Sequence, residues 1–143
     1  MIGGNKCRKK EEGLSLQARR RCVPIGKYNV IYADPPWRYD QKGVQGAAEK
    51  QYPTMGIEEL CALPVADLTA TDSALFMWAT FPQLPKALCL MEAWGFRYIS
   101  VAFVWLKKNR KADSWFYGLG FWTHANAEIC LLGTRGHPRR QAA

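Results

Sequence analysis

A strand that ends in an acid and two prolines is the feature that most constrains how this chain can fold. Residues Tyr28–Ala33 form an apolar run, and Asp34-Pro35-Pro36-Trp37 follows it directly. Continuous apolar character is typical of a strand buried on both faces of a sheet. Proline lacks the N–H that a strand ladder needs, and it keeps the preceding residue extended. We therefore expect the strand to end at Ala33 and to present a carboxylate, rigid carbonyls and an indole beyond its carboxyl end.

The groups at this strand end suit the binding of an exocyclic amino group. The Asp34 carboxylate and the Pro35 carbonyl can accept its two hydrogens while aromatic faces enclose the ring. Ligands of open α/β sheets bind beyond the carboxyl ends of the strands. Two acceptors would aim the lone pair of an adenine amino nitrogen at a methyl donor, so that positioning supplies most of the catalysis. The motif thus indicates adenine-N6 methyl transfer.

Two of these residues also have a plainer explanation. Asp-Pro is ordinary turn chemistry, although its position directly after a buried strand favours a site at Asp34. Trp37 could stack on a base extruded from a duplex, or it could pack in the core. We predict stacking for Trp37.

The positive charge of the chain is concentrated at its amino end. The formal net charge of the 143 residues is +8, and residues 1–27 carry eight Lys or Arg against two Glu. A basic arm on a nearly neutral body suits a phosphate backbone, and a disordered, solubilising terminus explains it equally well. We predict an arm over 1–27 and one domain over 28–143, because this length does not support two full domains.

The cysteines and the apolar segments argue against several classes of protein. Five cysteines are widely spaced, without a Cys-x-x-Cys pair and with only two histidines beside them, which indicates neither zinc nor a disulfide framework. We expect no metal, and reduced thiols in a cytoplasmic protein. The amino end lacks the apolar region of a secretory signal, and no apolar stretch approaches the ~20 residues that span a bilayer. The cysteines are Cys7, Cys22, Cys61, Cys89 and Cys130.

Strand and helix signals alternate along the chain. Gly95 follows an apolar helical pattern that begins at Pro85, as a glycine stop does. The long loop over 38–56 is typical of a functional segment. This alternation indicates an α/β fold with a Rossmann-like three-layer sheet. Strands are predicted at 28–33, 74–79, 98–106 and 127–132, and helices at 57–63 and 85–94.

Several segments beyond the first motif resemble one family, in that family's order along the chain. The chain resembles the MT-A-seventy-type adenine-N6 methyltransferases over about residues 28–140. That family includes the catalytic subunit of the eukaryotic messenger-RNA enzyme and many bacterial and phage DNA enzymes. The matching segments are Tyr32–Tyr39, Gln51–Met55, Leu75–Thr80, Trp94–Phe96, Val104–Asn109, Gly120–Thr123 and Glu128–Gly136.

The resemblance implies roles for individual residues. It implies S-adenosylmethionine as cofactor, with Asp34 near its methyl group and Lys107 on its carboxylate; Lys107 among other basic residues could instead be a surface lysine. Tyr52 matches a loop tyrosine near the target base, and a loop anchor is its alternative. Asn126 and Glu128 receive only a weak site role. The implied catalytic residues are Asp34, Pro35, Pro36 and Trp37, and the implied substrate-binding residues are Trp37, Arg38, Tyr39 and Tyr52.

One departure from the family concerns the carboxyl end of the chain. In the family a further segment follows the Arg-Gly-x-Pro stretch and grips the ribose and methionine parts of the cofactor. No match to it exists in the sequence, so we expect a carboxyl-terminally incomplete sheet with an unpaired strand edge. The missing part would then come from a longer product or from another chain.

Two hypotheses about function follow from these observations. The first is an enzyme that methylates adenine N6 in DNA; DNA is favoured over RNA by analogy with compact bacterial or phage members. The second is a non-catalytic nucleic-acid-binding remnant or partner subunit, with the basic arm and Lys107–Lys111 on phosphate. A homodimer or a catalytic partner chain is compatible with either, and a membrane association with neither.

Overall fold

Four strands form a single mixed sheet. The structure is a computed structural model that describes residues 27–39, 52–118 and 124–139. The strand order is β1-β2-β4-β3; β1 and β2 run parallel, and β4 is antiparallel to both of its neighbours. The strands are β1 (Tyr28–Ala33), β2 (Thr69–Thr80), β3 (Arg97–Trp105) and β4 (Glu128–Arg135).

Short helices connect β1 to β2 and β2 to β3. The backbone N–H of Gly56 donates to Glu59 Oε2 (2.7 Å), which closes the amino end of α1. Pro85 stands in the first turn of α3, where its missing N–H costs nothing, and Gly95 follows the helix with a φ of 82°. The helices are α1 (Ile57–Cys61), α2 (Val65–Leu68) and α3 (Leu84–Ala93), and a 3-10 turn over Phe81–Gln83 precedes α3.

The core lies between one face of the sheet and the helices. Alternate residues of β2 and β4 point to this face and are almost fully buried against α1 and α3. Trp94, just past α3, donates its indole N–H to the Leu60 carbonyl of α1 (3.0 Å), which joins the two helices. The buried sheet residues are Leu75, Met77, Ala79, Ile129 and Leu131.

The opposite face of the sheet is open among the described residues. Val30 and Tyr32 of β1 are 59% and 67% exposed, and Phe103 of β3, which stacks on Phe76, is 56% exposed. A groove of about 930 Å³ lies along this face. The described residues therefore form an α/β sheet with helices on one side, and the predicted third layer stays a prediction.

The predicted elements agree with the structure in kind and differ at their ends. β1 has the predicted bounds, whereas β2 begins at Thr69, five residues before the prediction, because the polar start of the strand still pairs with β1. Helix α2 was not predicted. Parts of the predicted arm and long loop, residues 1–26 and 40–51, lie outside the described residues. No helix in the described part of the chain is long and apolar enough to cross a membrane.

Candidate active site

The predicted site residues converge at one edge of the sheet. Asp34 follows the carboxyl end of β1, and Lys107 lies two residues beyond β3. Because β4 is antiparallel, its first residue, Glu128, lies at this same edge, paired with Thr80 of β2 and Trp105 of β3. The edge therefore carries two carboxylates and an ammonium group from three different strands.

The turn after β1 is fixed by backbone hydrogen bonds. The Trp37 N–H donates to the Pro35 carbonyl (2.8 Å), and the Met55 N–H donates to the Pro36 carbonyl (2.8 Å). The Arg38 N–H returns a bond to the Met55 carbonyl (3.1 Å). The Pro35 carbonyl keeps one lone pair for a further donor, so it can still serve as the predicted second acceptor.

Asp34 is held in a setting that favours its protonated form. Its carboxyl group is exposed at the sheet edge, yet partial desolvation raises its pKa above the ordinary value of 3.8, and the nearby Glu128 carboxylate raises it further. A carboxylate with a raised pKa is a better proton acceptor than an ordinary aspartate once it is ionised. Perturbed carboxyl groups of this kind are enriched at functional sites.

Trp37 lies in the core and is 5% exposed. Its indole N–H donates to the Trp78 carbonyl of β2 (3.2 Å), so the ring ties the turn to the sheet. This position agrees with core packing, the alternative that we did not favour for Trp37. Stacking of Trp37 on a base stays a prediction, and it would require the ring to leave this pocket.

The other predicted substrate contacts lie around the same turn. The Tyr39 hydroxyl hydrogen-bonds Thr80 Oγ1 (3.0 Å), and burial raises the pKa of Tyr39. Tyr52 is 48% exposed and close enough to raise that pKa as well. Arg38 pairs with Glu59 of α1 (3.1 Å), which ties the turn to that helix. Tyr39 and Tyr52 thus come together beside the edge, whereas the guanidinium of Arg38 is engaged with α1.

Lys107 is the most closely held cation of the site. Its ammonium group lies 2.5 Å from Glu128 Oε1 and 5.2 Å from the centre of the Trp105 ring. Asn126 Oδ1 accepts the Lys107 N–H (2.6 Å), and Asn126 Nδ2 donates to the Lys107 carbonyl (3.0 Å). Sequence reasoning gave Asn126 and Glu128 little weight. The register of β4 against β3, which places both beside Lys107, is the signal that was missing.

The donor set at this edge can be compared with the groups that a cofactor would need. The Lys107 ammonium bonds Glu128 in this structure and has two further N–H groups to donate. It can therefore also bond an amino-acid carboxylate, so this part of the site fits S-adenosylmethionine. Among the described residues, no group of three or more His, Cys, Asp or Glu is arranged to hold a metal ion. Cys130 is buried, Cys61 is half-buried and Cys89 is exposed; Cys7 and Cys22 lie outside the described residues.

Comparisons with known proteins agree on one family. The sequence profile of the MT-A70 family matches residues 28–143. The chain is 36% identical over 132 residues to the type II methyltransferase M.MunI of Mycoplasma sp., covering 80% of this chain and 54% of that protein. It is 31% identical to a probable N(6)-adenosine-methyltransferase MT-A70-like protein of rice and 28% identical to the human catalytic subunit METTL3. Each of these two matches covers 80% of this chain, and 15% and 18% of the relative.

The chain belongs to the MT-A70 family of methyltransferases. Members of this family use S-adenosylmethionine as their methyl donor. The chain spans about half the length of M.MunI and less than a fifth of the two eukaryotic relatives.

Proposed function

We propose that this protein transfers a methyl group from S-adenosylmethionine to the N6 amino group of adenine in DNA. The observation that carries the proposal is the placement of Asp34 at the carboxyl end of β1, beside Glu128 and Lys107 on one sheet edge. A carboxylate and a carbonyl suited to an amino group stand there next to an ammonium group suited to a carboxylate. The first two groups suit the adenine amino group that receives the methyl, and the ammonium group suits the carboxylate of the methyl donor.

Asp34 and Pro35 have complementary parts in the proposed reaction. Both accept hydrogens of the adenine amino group, which localises the nitrogen lone pair and directs it at the methyl donor. S-adenosylmethionine would supply an electrophilic methyl group when bound; its methyl–sulfur bond would break as the new N–C bond forms, and the sulfur would leave as a neutral thioether. The amino nitrogen becomes more acidic as it gains the methyl group, and ionised Asp34 is placed to take its proton. Lys107 holds the carboxylate of the cofactor, and Tyr39 and Tyr52 line the entry for the base.

DNA is the proposed substrate, with RNA the less favoured alternative. The support is the 36% identity to a type II methyltransferase from a bacterium, against 28–31% to proteins named for adenosine methylation in plants and human. The basic residues of 1–27 supply phosphate contacts in this proposal. The protein works in the cytoplasm of a bacterium or in a phage-infected cell, as a homodimer or with a partner chain.

We further propose a Rossmann-like three-layer sheet that is completed by polypeptide outside the described residues. The support is the apolar face formed in part by Val30, Tyr32 and Phe103, whose side chains are 56–67% exposed. Contiguous exposed apolar side chains of this kind mark a surface that another element or molecule covers. β1 pairs with β2 alone in the described structure, so its other side can accept a strand. The completing segment, in this chain or in a partner, would provide the remaining cofactor contacts.

A non-catalytic nucleic-acid-binding subunit is the second candidate. The open sheet face favours it if the segment that covers this face and completes the cofactor site belongs to a different, catalytic chain. Asp34→Ala separates the two candidates when methyl transfer and DNA binding are measured side by side. An enzyme loses methyl transfer and keeps salt-sensitive DNA binding. A binding subunit shows no methyl transfer with Asp34 present and binds DNA equally well without it.

A further inference from the structure

A group of large apolar side chains stands exposed beside the candidate active site. Their exposed fractions lie between 43% and 68%, in a stretch where a soluble protein usually places polar residues. Two of them lie at and just after the end of β3. The other three lie in the following loop, where the chain turns back towards β3. They are Trp105, Leu106, Trp115, Phe116 and Tyr117. We call residues 105–117 the aromatic hairpin.

Backbone hydrogen bonds give the aromatic hairpin a defined shape. Lys108 and Trp115 form an antiparallel bridge, and the Asn109 N–H donates to the Ser114 carbonyl (3.0 Å). The Asn109 side chain donates to Ser114 Oγ (2.9 Å) and to the Trp115 carbonyl (3.1 Å). These bonds order the turn, so the aromatic rings are held outwards by a defined backbone conformation.

Positive charge accompanies the rings. Arg110 and Lys111 are exposed at the tip of the turn. The ammonium group of Lys108 bonds Asp113 (2.7 Å) and lies 5.7 Å from the centre of the Trp115 ring. Because Lys107 pairs with Glu128 and Lys108 with Asp113, the excess of positive charge beside the aromatic surface is carried by Arg110 and Lys111.

The aromatic hairpin begins inside the candidate site. The Lys107 carbonyl accepts the Phe116 N–H (3.0 Å), and it also accepts Asn126 Nδ2 (3.0 Å). The side chain of Lys107 is the one that pairs with Glu128. A ligand that extends from the site beyond the carboxyl end of β3 would therefore meet the exposed rings next.

We propose that the aromatic hairpin binds the unpaired nucleotides that flank the target base. A base extruded for methylation leaves its neighbours without a stacking partner. Aromatic side chains can receive such bases whatever their sequence, and nearby cations contact the phosphates. The inference rests on the proposed function, because it needs a nucleic-acid strand whose target base lies beside Asp34. Apart from Lys107, the residues of the aromatic hairpin have no part in the proposed methyl-transfer chemistry.

The test measures the affinity of the full 143-residue chain for fluorescently labelled single strands, one of DNA and one of RNA. Trp115→Ala and Tyr117→Ala should each weaken binding about five- to hundredfold, as the loss of one stacked base predicts. Tyr117→Phe keeps the ring and should bind like the parent chain. Tyr98→Ala removes an aromatic at the far end of β3 that is 43% exposed, close to the 47% of Trp115, and should also leave affinity unchanged. Ring-dependent binding in either arm supports the proposal, and the tighter arm identifies the nucleic acid.

A second pair of variants tests the charges. Arg110→Gln with Lys111→Gln should lower the salt slope of single-strand binding by about 1.4, while Arg97→Gln at the other end of β3 should not. The proposal is overturned if Trp115→Ala and Tyr117→Ala bind both strands like the parent chain. It is equally overturned if these variants keep their affinity and convert a homodimer to a monomer, which would assign the hairpin to a protein interface.

The readout separates this inference from the proposed function. Strand binding is measured without methyl transfer, and methyl transfer is tested through Asp34→Ala. Ring-independent binding in a chain that methylates adenine overturns the inference alone. Ring-dependent binding in a chain that does not methylate overturns the proposed function. The aromatic hairpin then remains a nucleic-acid contact, and its assignment to the neighbours of a target base falls with the proposed function.

Discussion

Asn126 and Lys107 form a reciprocal pair of hydrogen bonds across the end of the sheet. The amide oxygen of Asn126 accepts the Lys107 N–H at 2.6 Å, and its amide nitrogen donates to the Lys107 carbonyl at 3.0 Å. The Asn126 side chain thus satisfies the backbone N–H and carbonyl of Lys107, as a paired strand would, at a point just beyond the end of β3. It holds Lys107 where the ammonium group meets Glu128, and so positions the residue that we assign to the cofactor carboxylate.

Loss of this pairing should weaken cofactor binding through Lys107. We expect Asn126→Ala to raise the Kd for S-adenosylmethionine about fivefold to thirtyfold, since two hydrogen bonds contribute about 1–2 kcal/mol in total. Titration calorimetry of Asn126→Ala, Lys107→Ala and the double variant checks whether Asn126 acts on cofactor binding through Lys107. If Asn126 acts only through Lys107, the double variant binds like Lys107→Ala. Additive losses would contradict a positioning role.

Asp34→Asn should make the protein more stable at neutral pH. A carboxyl group whose pKa is raised by folding binds its proton more tightly in the folded state, so stability falls as pH rises from the ordinary value of 3.8 through the folded pKa. The amide of Asp34→Asn does not ionise, so the variant does not lose stability as the pH rises. Thermal unfolding at pH 7 should show a higher Tm for Asp34→Asn than for the parent chain, and the difference should shrink towards pH 3. Asp113→Asn, on an exposed acid, serves as control, and a lower Tm for Asp34→Asn at pH 7 would contradict the partial desolvation assigned to Asp34.

Trp37→Phe distinguishes the two roles that the sequence leaves open for this residue. The Trp37 ring is 5% exposed, and its N–H bonds the Trp78 carbonyl. Replacing it with the smaller phenyl ring removes this bond and leaves a cavity, so the free energy of unfolding should fall by about 1–3 kcal/mol. Urea unfolding measures this cost. Trp105→Phe, on a ring that is 54% exposed, should cost close to nothing. An unchanged stability with weaker DNA binding would instead place the Trp37 ring on the base.

Gly133→Ala should destabilise the core of the sheet. A Cβ there would lie 2.4 Å from Met91 Cε, 3.2 Å from the Arg97 carbonyl oxygen and 3.3 Å from Phe96 Cβ. The methionine end can move, but the other two atoms belong to the paired strand and its start. We expect a loss of about 1–3 kcal/mol in urea unfolding. Gly56→Ala, which meets only the movable ends of side chains, should lose less than about 1 kcal/mol, and an equal loss in both would count against this packing.

The parts of the fold that depend on local pattern were predictable, and those that depend on pairing were not. The apolar run Tyr28–Ala33 and the prolines after it define β1 and its end without any knowledge of neighbours. The start of β2 at Thr69 is polar, so only its pairing with β1 shows that it is a strand. Asp34 could be assigned to the site because strand ends meet at one edge. Asn126 and Glu128 could not, because their position depends on the antiparallel register of β4.

The most direct test of the account is to find which atom receives the methyl group. The purified chain is incubated with isotope-labelled S-adenosylmethionine and duplex DNA, the DNA is digested to nucleosides, and the products are identified by mass spectrometry. Asp34→Ala is the test variant, and Asp67→Ala, on an exposed acid just before the amino end of β2, is its control. We expect labelled N6-methyladenine from the parent chain and from Asp67→Ala, and a loss of at least about a hundredfold in Asp34→Ala. Label on cytosine, or N6-methyladenine that persists in Asp34→Ala, would contradict this expectation.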